Sequence, residues 1–355
     1  MAVLGRLVVG RPIAQLPKVL VKEAGRGARV MVVADQAVAS RYGKRLAAGM
    51  KKRGLQVSLA VIPPGERSKA IAQAEKLYKR LARENFERKS WLVALGGGVV
   101  GDLTGFVAAT YLRGIPYVQV PTTLLAQVDA SIGGKTGVDI PEGKNLVGSF
   151  YHPQLIWIDP TLLRSLPLRH WANGLAEVIK YGAICDARLF QVLERKIEKL
   201  RKGYSKEWDA VIKRCAELKA AIVRKDPTET TGRRAILNFG HTIGHAIEAA
   251  TGYRRYLHGE AISIGMCAAG LLSEALLGLP HVDRIRLGSL LTRAGLPSRV
   301  KHPIPRGRTL QFLARDKKVQ DGRVRFVLLK GMGEAASQQG VPPDLLTEAL
   351  SAVGL

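Results

Sequence analysis

The chain has 355 residues, of which 46% are hydrophobic, and a formal net charge of +26 at pH 7. This length is ample for a large core and suggests two domains. Three cysteines without CxxC spacing argue against a disulfide framework and indicate a reducing compartment.

Five apolar, β-branched runs in the first half predict strands buried on both faces, as in a parallel sheet. They cover residues 29–35, 56–63, 91–98, 117–123 and 155–160. A helical pattern over 68–86 lies between the second and third runs. This alternation predicts βαβ units and a doubly wound α/β sheet with ligands at the strand ends.

After about residue 165 the pattern becomes mainly helical. Helices are predicted over 170–184, 187–203, 208–226, 237–252 and 259–278, with a terminal helix within 342–354. The mostly apolar 259–278 segment is expected to be buried in the middle of its domain. The prolines at 160 and 167 suggest a domain boundary, so we predict domains at 1–165 and 166–355.

The sequence also indicates where the protein is located and which kinds of partner it binds. The first residues lack the basic start, apolar core and cleavage site of a signal peptide, so we expect a cytoplasmic protein without membrane association. The basic residues are dispersed among acidic ones, without zinc-finger spacing or an RNP-type motif. We therefore expect no specific nucleic-acid partner, although a basic surface would attract anionic small molecules.

A glycine-rich turn, "LGGGVVGDLTGFVAA" (95–109), follows the third predicted strand. Gly97, Gly98 and Gly101 would let backbone N–H groups approach a pyrophosphate at a helix N-terminus. The spacing is not GxGxxG, so a close-packed strand–helix turn remains an alternative. At an earlier strand end, Glu66 could accept from a ribose hydroxyl and Lys69 could meet phosphate, unless they form only a charged turn.

The segment 120–150 is dense in glycine and polar residues, which a loop formed only for packing rarely needs. Lysines near such turns bind phosphate or carboxylate groups. The polar side chains are Thr122, Thr123, Asp129, Lys135, Lys144 and Asn145.

Glu177 and Lys180 share one face of a predicted apolar helix. Charged groups in such a place are paired or functional, so an internal salt bridge is the alternative to a catalytic role. Three histidines, His241, His245 and His258, lie within 18 residues. By spacing alone, His241 and His245 would bind a metal with a carboxylate from elsewhere, and His258 competes with them.

The motifs together resemble the 3-dehydroquinate synthase family. They are "GGGVVGDLTGFVAATYLRGIPYVQVPTTLLAQVDASIGGKTGVD", "GKNLVGSFYHP", "GLAEVIKYG", "LNFGHTIGHAIE" and "LHGEAISIGM", in order from about residue 60 to 330. The resemblance implies a Rossmann-like, mostly parallel α/β dinucleotide-binding domain and a mainly α-helical metal- and substrate-binding domain. It also implies NAD, a divalent metal (usually zinc, with cobalt as an alternative) and a homodimer.

The resemblance implies Glu177, His241 and His258 as metal ligands, which replaces the choice made from spacing. His245 then relays the proton of the oxidised hydroxyl. The implied NAD contacts are Glu66, Lys69, Gly97, Gly98, Val99, Val100, Gly101, Asp102, Thr122, Thr123, Lys135, Lys144, Leu162 and Ser165.

The implied substrate is an anionic seven-carbon sugar acid phosphate. The resemblance assigns its phosphate to Lys135, Asn145, Asn238 and Lys317 or Lys318, with Arg113 reaching from a neighbouring subunit. It assigns the carboxylate to Lys219 and Arg234. Catalytic groups near the ring hydroxyls would be Asp129, Lys180 and Glu229.

The implied reaction oxidises the substrate transiently with NAD, eliminates phosphate, returns the hydride and closes a carbocycle by aldol addition. The net change is a carbon–oxygen lyase reaction. Two other enzymes remain as alternatives: another sugar phosphate cyclase, and a metal-dependent polyol dehydrogenase, which would accumulate NADH.

Overall fold

The computed structural model describes residues 5–314, 319–320 and 323–355. By their contacts they form two compact units. The first comprises the chain up to Leu166 together with Trp208–Thr230, and the second comprises Pro167–Glu207 and Thr231–Leu355. The segment 208–230 thus groups with the first unit. The predicted division into functional domains between residues 165 and 166 stays a prediction.

The strands of the first unit follow the apolar runs of the sequence. In chain order they are β1 (Arg6–Val9), β2 (Arg29–Asp35), β3 (Gln56–Ile62), β4 (Trp91–Gly96), β5 (Tyr117–Pro121), β6 (Lys135–Ile140), β7 (Gly143–Phe150) and β8 (Leu155–Ile158). Strands β6 and β7 form an antiparallel hairpin, and the others form a six-stranded parallel sheet in the order β1-β8-β5-β4-β2-β3.

The helices alternate with these strands and then dominate the second half. In chain order they are α1 (Leu16–Ala24), α2 (Gln36–Val38), α3 (Lys44–Lys51), α4 (Ile71–Arg83), α5 (Gly98–Thr110), α6 (Leu168–Cys185), α7 (Ala187–Leu200), α8 (Glu207–Lys225), α9 (His241–Ala250), α10 (His258–Leu277), α11 (His281–Arg293), α12 (Arg306–Ala314) and α13 (Pro343–Ala352). The short helical turns include Pro160–Ser165 and Arg233–Asn238.

Strand β2 shows why the sheet is covered on both faces. Met31 and Val33 pack in one apolar cluster with residues of α4 and α5. Val30, Val32 and Ala34 pack in a second cluster with residues of α1 and α3. Because successive side chains point to opposite faces, an uninterrupted apolar strand requires helices on both sides.

The strand order reverses between β2 and β4. From β2 the chain continues to β3 on one side, whereas from β4 it continues to β5 on the other. Open α/β sheets bind ligands at such a switch point, outside the carboxyl ends of the strands. Here those ends are Asp35 and Gly96, and the glycine-rich turn follows Gly96 directly.

The second unit is mainly helical around α10, which packs against α6, α9, α11, α13 and one strand of a small sheet. That sheet is antiparallel, in the order β11-β10-β9. Its strands are β9 (Val319–Gln320), β10 (Arg323–Gly331) and β11 (Glu334–Gln339). The sequence did not predict this sheet, because its basic and polar residues obscure the apolar pattern of β10.

Among the described residues, α10 is long and apolar enough to cross a membrane by length and composition. In the protein, 61% of the most apolar 18-residue stretch of this helix is buried. Burial of this kind is typical of a core helix, as the sequence predicted, so α10 is weak evidence for a membrane span.

Candidate active site

The glycine-rich turn starts α5 at the switch point. Gly97 is the N-cap residue and Gly98 is the first helical residue. A Cβ added at Gly98 would meet only Ala130, at an ordinary van der Waals distance of 3.6 Å, so this position is not closely packed. At Gly101 an added Cβ would lie 2.8 Å from Oε1 of Gln119 in β5. Gly101 therefore lets α5 pack closely on the sheet, whereas the half-buried Gly98 is not needed for close packing.

Lys69 joins several predicted cofactor residues. Its ammonium donates to the Asp102 carboxylate and to Oδ1 of Asn145, and Lys69 is only 4% exposed. Burial alone would lower the pKa of Lys69, but the Asp102 carboxylate outweighs it and raises that pKa. Lys69 is thus a cation, and Asn145, predicted at the substrate phosphate, contacts it. Nearby, Lys144 and Glu66 form an ion pair of 3.0 Å.

The other predicted cofactor residues lie at strand ends of the same sheet. The N–H of Thr122 donates to the Gly96 carbonyl at 2.9 Å. The hydroxyl of Thr123 accepts from the Ala126 N–H at 3.2 Å. After β8, the Leu162 carbonyl and the Ser165 hydroxyl contact the Tyr42 hydroxyl at 3.2 and 3.0 Å. Val99 is half-buried and Val100 is buried at the start of α5.

Two pairs of predicted substrate residues also lie in the first unit. The Lys219 ammonium lies 2.8 Å from Oδ1 of Asp129 and 2.8 Å from its carbonyl oxygen. Lys135 forms an ion pair with Glu229, whose backbone is left-handed with φ of 59°. Both of these lysines are therefore paired with a carboxylate. Arg113 is exposed on the turn after α5.

In the second unit, three side chains converge from three helices. Glu177 lies on α6, His241 starts α9 and His258 starts α10. The Nε2 atoms of both histidines lie 3.3 Å from Oε1 of Glu177. The three ligand atoms all lie within 4.8 Å of one another. Glu177 is fully buried and His241 is 8% exposed.

Glycines bring α9 and α10 close enough for this convergence. Gly240 precedes α9 with a left-handed φ of 76°. A Cβ at Gly244 would lie 2.9 Å from Cα of Ile262, and one at Gly265 would overlap the Gly240 carbonyl. The glycines therefore allow backbone contact between the helices, and the ring centroids of His241 and His258 are 5.2 Å apart.

Electrostatics set the protonation of the cluster. The carboxylate of Glu177 pairs with the buried ammonium of Lys180. Burial would raise the pKa of Glu177, but Lys180 and the two histidines outweigh it and hold that pKa well below its usual range. Burial and the Lys180 charge lower the pKa of His241 to about 4. Burial would lower the pKa of His258, but Glu177 and Glu248 outweigh it and raise that pKa to about 10. Glu177 and His241 are therefore in the forms that bind a metal ion, whereas His258 must release a proton to do so.

His245 lies one helical turn after His241 and is exposed. Its ring centroid is 5.3 Å from that of His241 and 6.0 Å from that of His258. Atoms of His245, Glu248 and His258 form a second group within 4.8 Å. The i,i+4 spacing places His245 beside the Glu177 cluster, and its role there stays a prediction.

The remaining predicted substrate residues of the second unit lie on the turn before α9. Arg234 is 2% exposed, and Asn238 is half-buried at the end of that turn. Lys317 and Lys318 lie outside the described residues.

Two carboxylates that contact predicted site residues were not identified from the sequence. Glu248 contacts Nδ1 of His258 at 3.3 Å, and Asp139 accepts from the Asn145 N–H at 2.9 Å. Glu248 could have been found, because it lies seven residues after His241 and so on the same helix face. Asp139 carries no such signal, because its contact depends on the fold of the hairpin.

Comparisons with known proteins confirm the family resemblance of the sequence motifs. A model of the 3-dehydroquinate synthase N-terminal region matches residues 59–173, and a model of the C-terminal region matches residues 174–319. The chain is 47% identical over 330 residues to a 3-dehydroquinate synthase of Synechococcus sp.. That alignment covers 92% of this chain and 89% of the relative.

Two solved structures are similar over nearly the whole chain. One is 2-epi-5-epi-valiolone synthase from Streptomyces hygroscopicus with NAD⁺ and Zn²⁺ bound, at 30% identity and a TM-score of 0.91. The other is 2-deoxy-scyllo-inosose synthase with carbaglucose-6-phosphate, NAD⁺ and Co²⁺, at 26% identity and a TM-score of 0.88. Each comparison covers 99% of this chain and 97% of the other.

Proposed function

Since the chain belongs to the 3-dehydroquinate synthase family, we propose that it converts 3-deoxy-D-arabino-heptulosonate 7-phosphate to 3-dehydroquinate and phosphate, in the shikimate pathway. The observation that carries this proposal is the convergence of Glu177, His241 and His258 beside the buried Lys180. A metal held there would stabilise negative charge on a substrate oxygen, which suits a lyase that oxidises its substrate transiently with NAD.

Glu177, His241 and His258 fit a divalent metal, because three N and O ligands with an open position are typical of catalytic zinc. Zinc is the proposed ion, with cobalt as an alternative. A metal bound there polarises the substrate hydroxyl as a Lewis acid. Lys180 keeps Glu177 ionised, and the exposed His245 takes up and returns the hydroxyl proton. Asp129 and Glu229 are proposed near the other ring hydroxyls.

The first unit fits NAD at the switch point of the sheet. The N–H groups of Gly98 and Val99 would bind the pyrophosphate at the N-terminus of α5. Lys69 and Asp102 lie beside this turn, as do Thr122 and Thr123 at the end of β5. NAD supplies a hydride acceptor that is restored within each turnover, so no net redox change results.

The anionic groups of the substrate are assigned to the cations that the family resemblance implies. Lys219 and Arg234 are proposed to bind the carboxylate, and Lys135 and Asn238 the phosphate. Lys219 and Lys135 pair with carboxylates, which hold their ammonium groups in place until a substrate anion binds. Arg113 is proposed to reach the phosphate of a neighbouring subunit, so the proposed state is a homodimer.

The proposed location is the cytoplasm, which supplies NAD and keeps the three cysteine thiols reduced. The +26 charge is assigned to attraction of anionic substrates, without a specific nucleic-acid partner. A binding constant for duplex DNA that is strongly sequence-dependent would contradict this assignment.

The deciding experiment is release of inorganic phosphate from 3-deoxy-D-arabino-heptulosonate 7-phosphate, with zinc and a trace of NAD, before and after chelation. We expect many turnovers per NAD and loss of release when the metal is removed. Stoichiometric NADH accumulation would instead indicate a polyol dehydrogenase. If the folded, metal-loaded protein releases no phosphate, a panel of other phosphorylated sugars would test the alternative of another sugar phosphate cyclase, the class to which both structural neighbours belong.

A further inference from the structure

His258 contacts two carboxylates through different ring nitrogens. Its Nε2 lies 3.3 Å from Oε1 of Glu177, and its Nδ1 lies 3.3 Å from Oε2 of Glu248. Glu248 lies on α9 and is 7% exposed. The charge of a carboxylate that is so deeply buried must be compensated, and His258 supplies a hydrogen-bond partner for it.

We propose that Glu248 is a positioning residue of the metal site, which acts by orienting His258. It accepts the Nδ1–H of His258, fixes the tautomer and leaves Nε2 as the ligand atom. This inference rests on the proposed function, in which Glu177, His241 and His258 bind a divalent metal. A carboxylate behind a ligating imidazole also makes the ligand more basic.

The second histidine shows the same arrangement with a backbone acceptor. Nδ1 of His241 lies 3.0 Å from the Phe239 carbonyl oxygen, and its Nε2 lies 3.3 Å from Oε1 of Glu177. Both imidazoles therefore direct Nε2 toward one oxygen and Nδ1 toward a fixed acceptor. This shared geometry assigns Glu248 the role that the Phe239 carbonyl has for His241.

A second cation site, formed by His245, Glu248 and His258, is the competing interpretation. It would use Nδ1 of His258, the atom that contacts Glu248. The geometry favours the orienting role for two reasons. Nε2 of His258 already faces Glu177, and His245 is exposed while Glu248 and Glu177 are buried.

The matched control is Glu260, another carboxylate close to His258. Glu260 accepts from the Leu257 N–H at 2.8 Å and pairs with Arg169, so it holds the start of α10 without an imidazole contact in the described structure. If Glu248 only supported local folding, Glu260→Gln would loosen the same helix end to a similar extent. Glu248→Gln keeps the size and an acceptor oxygen, whereas Glu248→Ala removes both.

The test titrates the metal-free full-length protein with Co²⁺, without substrate, and follows visible absorption and bound metal per chain. We expect one ion in the wild type and a dissociation constant raised roughly 10- to 100-fold in Glu248→Ala. Glu248→Gln should show a smaller increase and an altered Co²⁺ spectrum, because the acceptor remains without its charge. Glu260→Gln should bind as the wild type does.

Wild-type affinity and spectrum in both Glu248 variants would overturn the inference, as would an equal loss in Glu260→Gln. Two ions in the wild type, with one lost in Glu248→Gln, would establish the second cation site instead. A wild type that binds no Co²⁺ would overturn the proposed metal site itself. Failure of the proposed function is thereby distinguished from failure of the role of Glu248.

Discussion

The ammonium of Lys219 contacts two oxygens of Asp129, the carboxylate Oδ1 and the backbone carbonyl, each at 2.8 Å. Lys219 is only 6% exposed. An ammonium has three N–H donors, and Asp129 accepts two of them. Asp129 therefore fixes the position of the Lys219 ammonium, which is proposed to bind the substrate carboxylate.

Lys219→Met should reduce kcat/KM for the sugar acid phosphate by roughly 30-fold or more. The variant removes the ammonium proposed to bind the substrate carboxylate, and losing one partner of such a buried charge pair costs about 2–5 kcal/mol. Steady-state phosphate release measures this effect. NAD and metal binding should be unchanged and serve as controls. Unchanged kcat/KM would remove Lys219 from the substrate site.

His245→Asn should lower kcat by roughly 10²- to 10⁴-fold, the usual contribution of a positioned acid–base group. The residue is exposed, so folding should be unaffected. Metal content should also stay at the wild-type value, because Glu177, His241 and His258 are retained. A variant with normal turnover would show that the proton relay does not use His245.

Glu177→Gln should lose stoichiometric metal, which metal analysis of the purified variant measures. It should also lower the free energy of unfolding by about 3–5 kcal/mol, because the buried Lys180 loses its carboxylate partner. Denaturant unfolding of the metal-free proteins separates this effect from metal loss. Retention of one tightly bound ion would rule out Glu177 as a ligand.

Lys69→Met should weaken NAD binding by roughly tenfold or more, because hydrogen bonds to charged groups contribute about 1.5–3 kcal/mol. The variant removes the ammonium that joins Asp102 and Asn145. Lys79→Met is the matched control, since Lys79 forms an exposed ion pair with Glu75 on α4. Calorimetric titration with NAD measures both variants, and equal affinities would contradict the role of Lys69.

Gly265→Ala should lower both the unfolding temperature and the Co²⁺ affinity, because its methyl group would overlap the Gly240 carbonyl and separate α9 from α10. Gly288→Ala on α11 is the control, since an added Cβ there meets nothing within 4 Å. The control should be neutral or more stable by about 0.5–1 kcal/mol. If both variants behave alike, close helix packing does not set the metal geometry.

The parallel strands could be predicted because both faces of the sheet select apolar residues. The predicted strand over 29–35 coincides with β2, and 56–63 exceeds β3 by one residue. The hairpin of β6 and β7 was not predicted. Its glycines and charges, which include Lys135 and Asn145, suit a binding loop as well as a strand. Whether this segment forms a hairpin or a loop depends on strand pairing in the folded protein, so its local sequence pattern does not distinguish the two.

Only some residues of the candidate site could be identified from their spacing in the sequence. Helical spacing finds His241 and His245 on one face but cannot find Glu177, because that contact depends on how α6 packs against α9 and α10. Only the resemblance to the family supplied Glu177 and His258 as partners. Glu248 was accessible from spacing alone, yet a buried glutamate on a helix also has ordinary structural explanations.

The three proposed ligands come from three helices, and Glu177 and His258 are 81 residues apart in the chain. An ion bound by all three would act as a removable cross-link that closes a long loop. Because the unfolded chain lacks this arrangement, the binding energy of the ion becomes folding stability of the second unit. The lifetime of the protein against unfolding and proteolysis would then follow the supply of metal in the cell.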